Sequence, residues 1–191
     1  MQGASIGPNA VTQMLRPVEL RYGADGLQRL LAIAGIDRLP DLTGLMDEAP
    51  AVRLHEALRR SLPEAAPDIA SEAGAATAEY VLANRIPKVA RLLLPLLPPR
   101  LAARVLARAV GRHAWTFAGS GKFRVSALAP VTFEIAENPL AAHHIGPANA
   151  CYWHRAAFET LFRRLVSPRA VVEETCCCGR GDPCCRFVIE F

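Results

Sequence analysis

Through the first 110 residues the apolar positions recur at helical spacing. The pattern predicts a short helix over Pro8–Leu15 and a second over Asp25–Ala34, where Leu27, Leu30 and Leu31 share a face and Gly35 ends the run. A third is expected over Ala51–Leu62, carrying Val52, Leu54, His55 and Leu58 and stopping before Pro63. Asp68–Asn84 reads as a longer helix with small residues at Ala70, Gly74, Ala75 and Ala78, which admit either a close-packed neighbour or a ligand. Pro87 interrupts it, and Leu101–Val110 is amphipathic behind Pro98-Pro99. After Gly111 the period falls to two. His113–Ala118, Lys122–Leu128 and Val131–Ala136 read as short strands parted by Gly119-Ser120-Gly121 and Ala129-Pro130. A loop over Asn138–Asn149 leads to a helix over Ala150–Val166, with Cys151, Phe158, Leu161, Phe162 and Leu165 on one face. Val171–Thr175 and Arg186–Phe191 then form a hairpin around a cysteine-rich turn. The expected fold is α+β, with a helical N-terminal half packed on an antiparallel sheet within a single domain.

Length and composition agree. The 191 residues, 51% hydrophobic and 21% charged, suffice for one domain with a sizeable core and exclude a disordered chain. The greasiest run, Leu92-Leu93-Leu94-Pro95-Leu96-Leu97, is too short for a membrane span and is broken by proline. The net charge is +4, and all 22 basic residues except Lys88 and Lys122 are arginine. No basic block is interleaved with aromatics, so nucleic acid is not an expected partner. Residues 1–9 lack the basic start and apolar stretch of a secretory signal, and the protein is expected to be cytoplasmic, with peripheral membrane association left open.

The cysteines carry the chemistry. All six lie at Cys151 or later: Cys151, Cys176, Cys177, Cys178, Cys184 and Cys185. A disulfide framework would spread them through the fold, whereas crowding in a reducing compartment suggests metal binding. Gly179, Gly181 and Asp182-Pro183 permit a tight turn that brings thiolates from two arms together. Alternation with Phe187, Ile189 and Phe191 turns Cys185 inward and Cys184 outward, and Cys151 faces the core seven residues before Phe158. Cys151, one cysteine of the first arm and Cys185 would tie helix to hairpin, with His154 and Glu174 competing for the fourth position. Zinc is the expected ion, and an iron–sulfur cluster is the alternative.

The tail Glu174-x2-Cys177-x3-Gly181-Asp182-x2-Cys185-x-Phe187 resembles the 4-vinyl reductase domain family. In that family's zinc-binding members a helix-start cysteine is followed 23 positions on by a glutamate, then by cysteines 3 and 8 positions later. Cys151, Glu174, Cys177 and Cys185 stand at those positions. His113–Gly121 and Asn84-Arg85-Ile86-Pro87 are similar to the bacteriochlorophyll 4-vinyl reductase branch. The resemblance covers about Leu20 to Phe191, leaving residues 1–19 as an N-terminal extension. It implies a dimeric ligand-binding domain, a structural zinc on those four residues, and a magnesium tetrapyrrole with vinyl groups as ligand or substrate.

Vinyl reduction needs a hydride donor. No Gly-x-Gly-x-x-Gly follows a strand, Gly119-Ser120-Gly121-Lys122 is only a fragment of a phosphate loop, and a four-ligand zinc offers neither redox chemistry nor an open position. The expectation is therefore a carrier that presents a divinyl precursor to a separate reductase. The alternatives are a reductase in its own right and a ligand sensor. Candidate pocket residues are His113, Trp115, Phe117, Trp153 and Arg108, with Leu101, Val105 and Phe123 as further apolar walls. His113, His143 and His144 are candidate axial ligands. Arg100, Arg104, Arg108 and Arg112 recur every four residues, a positive stripe that is either a solvated face or a contact for a propionate, an acidic partner or anionic lipid.

Overall fold

A computed structural model describes residues 4–41, 44–142, 146 and 148–191. His143 and His144 lie outside them. In the helical half, α1 (Asn9–Ile33), α2 (Ala49–Ser61) and α3 (Ala66–Asn84) surround a core that includes Met14, Val18, Leu54, Leu58 and Ile69. A two-stranded ribbon, β1 (Ser5–Ile6) with β2 (Met46–Asp47), closes one side. The first two expected helices are one, because Pro17 forfeits a single hydrogen bond without ending the run, and Gly23 absorbs a kink at φ 69°. Residues 4–19 are not set apart from this core: Ile6, Ala10, Val11, Met14 and Val18 are buried in it.

The short α4 (Lys88–Leu93) and α5 (Pro99–Arg112) lead to the sheet. The expected strand over His113–Ala118 is instead a 3-10 turn at Ala114–Thr116. Phe117 and Ala118 both donate backbone N–H to Ala114 O, which coils the chain, while Trp115 swings to the surface and only Phe117 turns inward. The alternation of Trp115 and Phe117 thus mimics a strand without forming one.

Strands β3 (Lys122–Leu128), β4 (Val131–Ala136), β5 (Val171–Cys176) and β6 (Cys184–Glu190) form an antiparallel sheet in the order β3-β4-β6-β5. Helix α6 (Tyr152–Leu165) connects β4 to β5. The two central strands direct Val131, Phe133, Ile135, Cys185, Phe187 and Ile189 into a second core, shared with α5 and α6. Phe133 packs edge-on against Phe158 and Phe162, with ring centroids 5.0 and 5.9 Å away. The opposite face carries Arg124↔Glu134↔Arg186 in register across three strands. Phe117 touches both cores, and Trp153 at the start of α6 belongs to the first. The deepest joint between the layers is Gly74 on α3, where a Cβ would stand 2.2 Å from Trp153 O.

Candidate metal centre

Three elements meet at the cysteine cluster. Alternation along β5 buries Val172 and Glu174, and an irregularity between Glu174 and Cys176 then lets Cys177 also turn in. Gly181, at φ 91°, reverses the chain, and Asp182 Oδ2 accepts from Cys177 N at 2.8 Å and from Arg180 Nη2 at 2.9 Å, fixing the turn. Cys185 enters from β6. Cys151 stands at the N-cap position of α6.

One ligand atom from each of Cys151, Glu174, Cys177 and Cys185 lies within 4.8 Å of the others, and all four residues are buried. A tetrahedron with arms of about 2.3 Å has edges of about 3.8 Å, so the set is on the scale of a four-coordinate ion. Cys151 Sγ and Cys185 Sγ are 3.1 Å apart. His154 stands elsewhere: its Nε2 donates to Phe117 O at 3.0 Å, outside the cluster.

The donors fit a cation. Glu174 Oε2 accepts from Cys151 N at 3.3 Å, but Glu174 Oε1 is buried with no hydrogen-bond partner among the described residues. Burial, then the charge of Cys177, raises the Glu174 carboxyl to about 8. Hydrogen bonds from Cys151 and Cys185 hold Cys177 far below an ordinary thiol. Burial, reinforced by the bond to Cys177, pushes Cys151 well above it. Without a cation the cluster thus keeps one thiolate and protonates the rest, and a divalent ion would replace those protons.

A surrounding layer supports the sulfurs. Buried Asn138 donates Nδ2 to Cys151 Sγ at 3.2 Å and to Cys185 Sγ at 3.5 Å. The amides of Ala150 and Cys178 each donate over 3.3 Å, to Cys177 and Cys185. Arg59 of α2 feels the charge of Cys151 and Cys177 while its Nη1 donates to Leu140 O at 2.9 Å. Asn138 and Arg59 escaped the sequence reading. Asn138 follows β4 and precedes Pro139, but an amide in a loop has no periodicity to reveal it. The extra thiols face elsewhere. Cys184 points to the opposite face, as alternation predicts, but is buried among Glu134, Arg186 and Cys176 rather than exposed.

The expected pocket residues fall in two places. Phe117 and Trp153 flank His154, with ring centroids 6.2 and 4.9 Å from it. Trp153 Nε1 and His154 Nδ1 are buried without partners among the described residues. His113, Trp115 and Arg108 are exposed on α5 and the turn after it, and His113 Nδ1 bonds Ala109 O at 2.9 Å. A cleft of about 260 Å³ between Arg100, the β3–β4 turn and the end of β6 includes none of the five. The phosphate-loop fragment holds a carboxylate: Ser120 N and Oγ each donate to Glu48 at 2.7 Å.

Residues 131–191, which contain the sheet's centre and most of the cysteine cluster's surroundings, match the family model of the 4-vinyl reductase domain. The chain is 49% identical to the bacteriochlorophyll synthase 23 kDa chain of Cereibacter sphaeroides, covering 95% of this chain and 88% of that one. The chain belongs to the 4-vinyl reductase domain family of the bacteriochlorophyll pathway. The protein of the same name from Rhodobacter capsulatus is 41% identical over 97% of this chain and 86% of its own. In fold, this member of the 4-vinyl reductase domain family is similar to H-NOX proteins. One from K. algicida superposes with a TM-score of 0.62 at 14% identity, covering 97% and 96% of the two chains. One from S. oneidensis gives 0.56 at 11%, covering 97% and 98%. A further solved structure at 0.55 and 13%, covering 97% and 95%, is described in terms of heme redox potential and porphyrin distortion.

Proposed function

We propose that this 4-vinyl reductase domain protein binds a divinyl, protochlorophyllide-type magnesium tetrapyrrole and carries or presents it for vinyl reduction by a separate enzyme. Zinc on Cys151, Glu174, Cys177 and Cys185 holds α6 to the β5–β6 hairpin and leaves no open position for chemistry. The observation that carries the ligand reading is the pair of buried, unpartnered polar atoms at the junction of the two cores, Trp153 Nε1 and His154 Nδ1. His154 is neutral, its pKa pushed down to about 4 by burial, and donates from Nε2, so Nδ1 keeps a free lone pair. A ligand's donor group or central metal would satisfy it. Phe117 and Trp153 supply apolar walls there, and His113, Trp115 and Arg108 form an outer rim. The fold shared with a structure described by its heme and porphyrin supports a macrocycle as the ligand class, and the relatives' name supports the pathway. The engagement of Ser120 by Glu48 favours a carrier over a nucleotide-dependent reductase. The working assembly is a homodimer on the cytoplasmic side.

Titration with divinyl protochlorophyllide, with and without NADPH, tests the reading. A shifted absorption band with no ethyl product is expected. Ethyl product from the isolated protein would replace the carrier with an enzyme, and no spectral change would remove the ligand. For the metal, Cys185→Ser should lose zinc by elemental analysis and melt lower; full zinc content and an unchanged melting temperature would refute the ligand set.

A further inference from the structure

Between Tyr80 and Phe133 the sequence contains no acidic residue. Arg85, Lys88 and Arg91 lie at or beside α4, and Arg100, Arg104, Arg108 and Arg112 run along α5. None of these seven has an ion-pair or hydrogen-bond partner among the described residues. Elsewhere arginines are commonly matched, as in Arg21–Glu72, Arg164–Glu79 and Arg186–Glu134.

Large aliphatic side chains are exposed in the same stretch. Helix α4 buries none of its residues. Leu92 is 71% and Leu96 79% exposed, and Val89 and Leu93 are also more than half exposed. On α5, Leu101 and Val105 are exposed directly beside the arginine row, while Ala102, Ala103, Leu106 and Ala107 bury the other side. Trp115 follows, also exposed. Such a surface, on the order of several hundred Å², exceeds what isolated apolar residues leave on a monomer.

We propose that α4, α5 and the turn between them form a membrane-surface docking face, with the leucines and valines entering the acyl boundary and the arginines meeting anionic lipid phosphates. The charge decides the occupant. A second copy of the same face would bring seven unpaired cations against seven others, with no carboxylate in the stretch to relieve them. An acidic protein would answer the arginines but not the projecting Leu92 and Leu96. An anionic bilayer answers both. No helix among the described residues is long and apolar enough to cross a membrane, so the face rests on the surface. This inference does not depend on pigment binding.

Flotation of the full chain with phosphatidylcholine vesicles, with and without roughly a third phosphatidylglycerol, tests it. Binding to the anionic vesicles only, weakened by salt, is expected. Arg104→Ala with Arg108→Ala should weaken it roughly 10- to 30-fold, and Leu92→Ser with Leu96→Ser at least about tenfold. All four sites are exposed, so both double variants should melt like the parent. Failure to float with anionic vesicles, or floating that neither double variant changes, overturns the proposal. A dimer that Leu92→Ser with Leu96→Ser converts to monomer, without vesicle binding, overturns it in favour of a self-interface.

Discussion

Gly74→Ala isolates the joint between the helical layer and the metal-bearing layer. The added Cβ would lie 2.2 Å from Trp153 O, 2.9 Å from Trp153 C and 3.1 Å from the Ala156 Cβ. Two of these are backbone atoms of α6, so no side chain can rotate away, and the first turn of α6 must retreat by about 1 Å to regain ordinary contact. Alanine contributes about 1 kcal/mol through helix propensity. Overpacking a close helix contact costs about 1–3 kcal/mol, and a backbone clash places this site at the upper end. The net expectation is a loss of about 1–2 kcal/mol, or about 3–6 °C in melting temperature for a chain of this size. Cys151 lies two residues before Trp153, so the same retreat displaces one proposed ligand by several times the ~0.2 Å that a zinc site tolerates. Thermal melts followed by circular dichroism, with and without chelator, and competition with a chromophoric zinc chelator give the two readouts. Parental or higher stability would refute the close-approach argument. Lower stability with unchanged zinc affinity would refute the coupling of Gly74 to the cluster.

Further predictions follow from buried charge. Burial, helped by nearby Arg59 and His154, pushes the His55 pKa down to about 3, so the folded state keeps this ring neutral while the unfolded chain protonates it near 6.5. Its contribution is present above pH 6.5 and declines as pH falls toward 3, by about 2 kcal/mol between pH 7 and pH 5. His55→Gln, which keeps a donor for Ala10 O, should flatten the pH dependence of stability by that amount; parallel curves for parent and variant would contradict it. Glu134 is held below the usual carboxylate range despite the burial that opposes it, because Arg186 and Arg124 bond it. Glu134→Gln should cost about 1–2 kcal/mol in denaturant titrations, discounted because both arginines are substantially solvated, and should leave zinc content unchanged.

Regular elements were legible where one residue type decides a face. The alternation of Phe187 and Ile189 placed Cys185 inward, and the 3.6-residue spacing of Leu54 and Leu58 or of Phe158, Phe162 and Leu165 marked helices that bury one side. Pattern misled where tertiary bonds outvote it. Phe117 alternates with Trp115, but the backbone there commits its amides to Ala114 O within a turn. Gly74 was legible as small but not as to what fills the space, since either a helix or a ligand suits a missing Cβ; α6 fills it. Cys184 was oriented correctly but not its cover, which depends on Glu134 and Arg186 crossing strands over it.

The residues around the cluster make sense as charge compensation. Three thiolates and a carboxylate with one divalent ion leave two negative charges in a buried site, which a protein interior cannot hold unanswered. The answer is distributed over three sources: the N-terminus of α6, where Cys151 N meets Glu174 Oε2; the N–H donors of Asn138, Ala150 and Cys178 on the sulfurs; and the positive charge of Arg59 from the helical layer. Only the last comes from outside residues 131–191, the stretch that matches the 4-vinyl reductase domain. Arg59 also donates to Leu140 O and to Ala142 O, so the same guanidinium that offsets the thiolates anchors the segment carrying Asn138. The cluster is thereby wired to α2 as well as to α6, and the family-matched segment is electrostatically incomplete without the helical layer that precedes it.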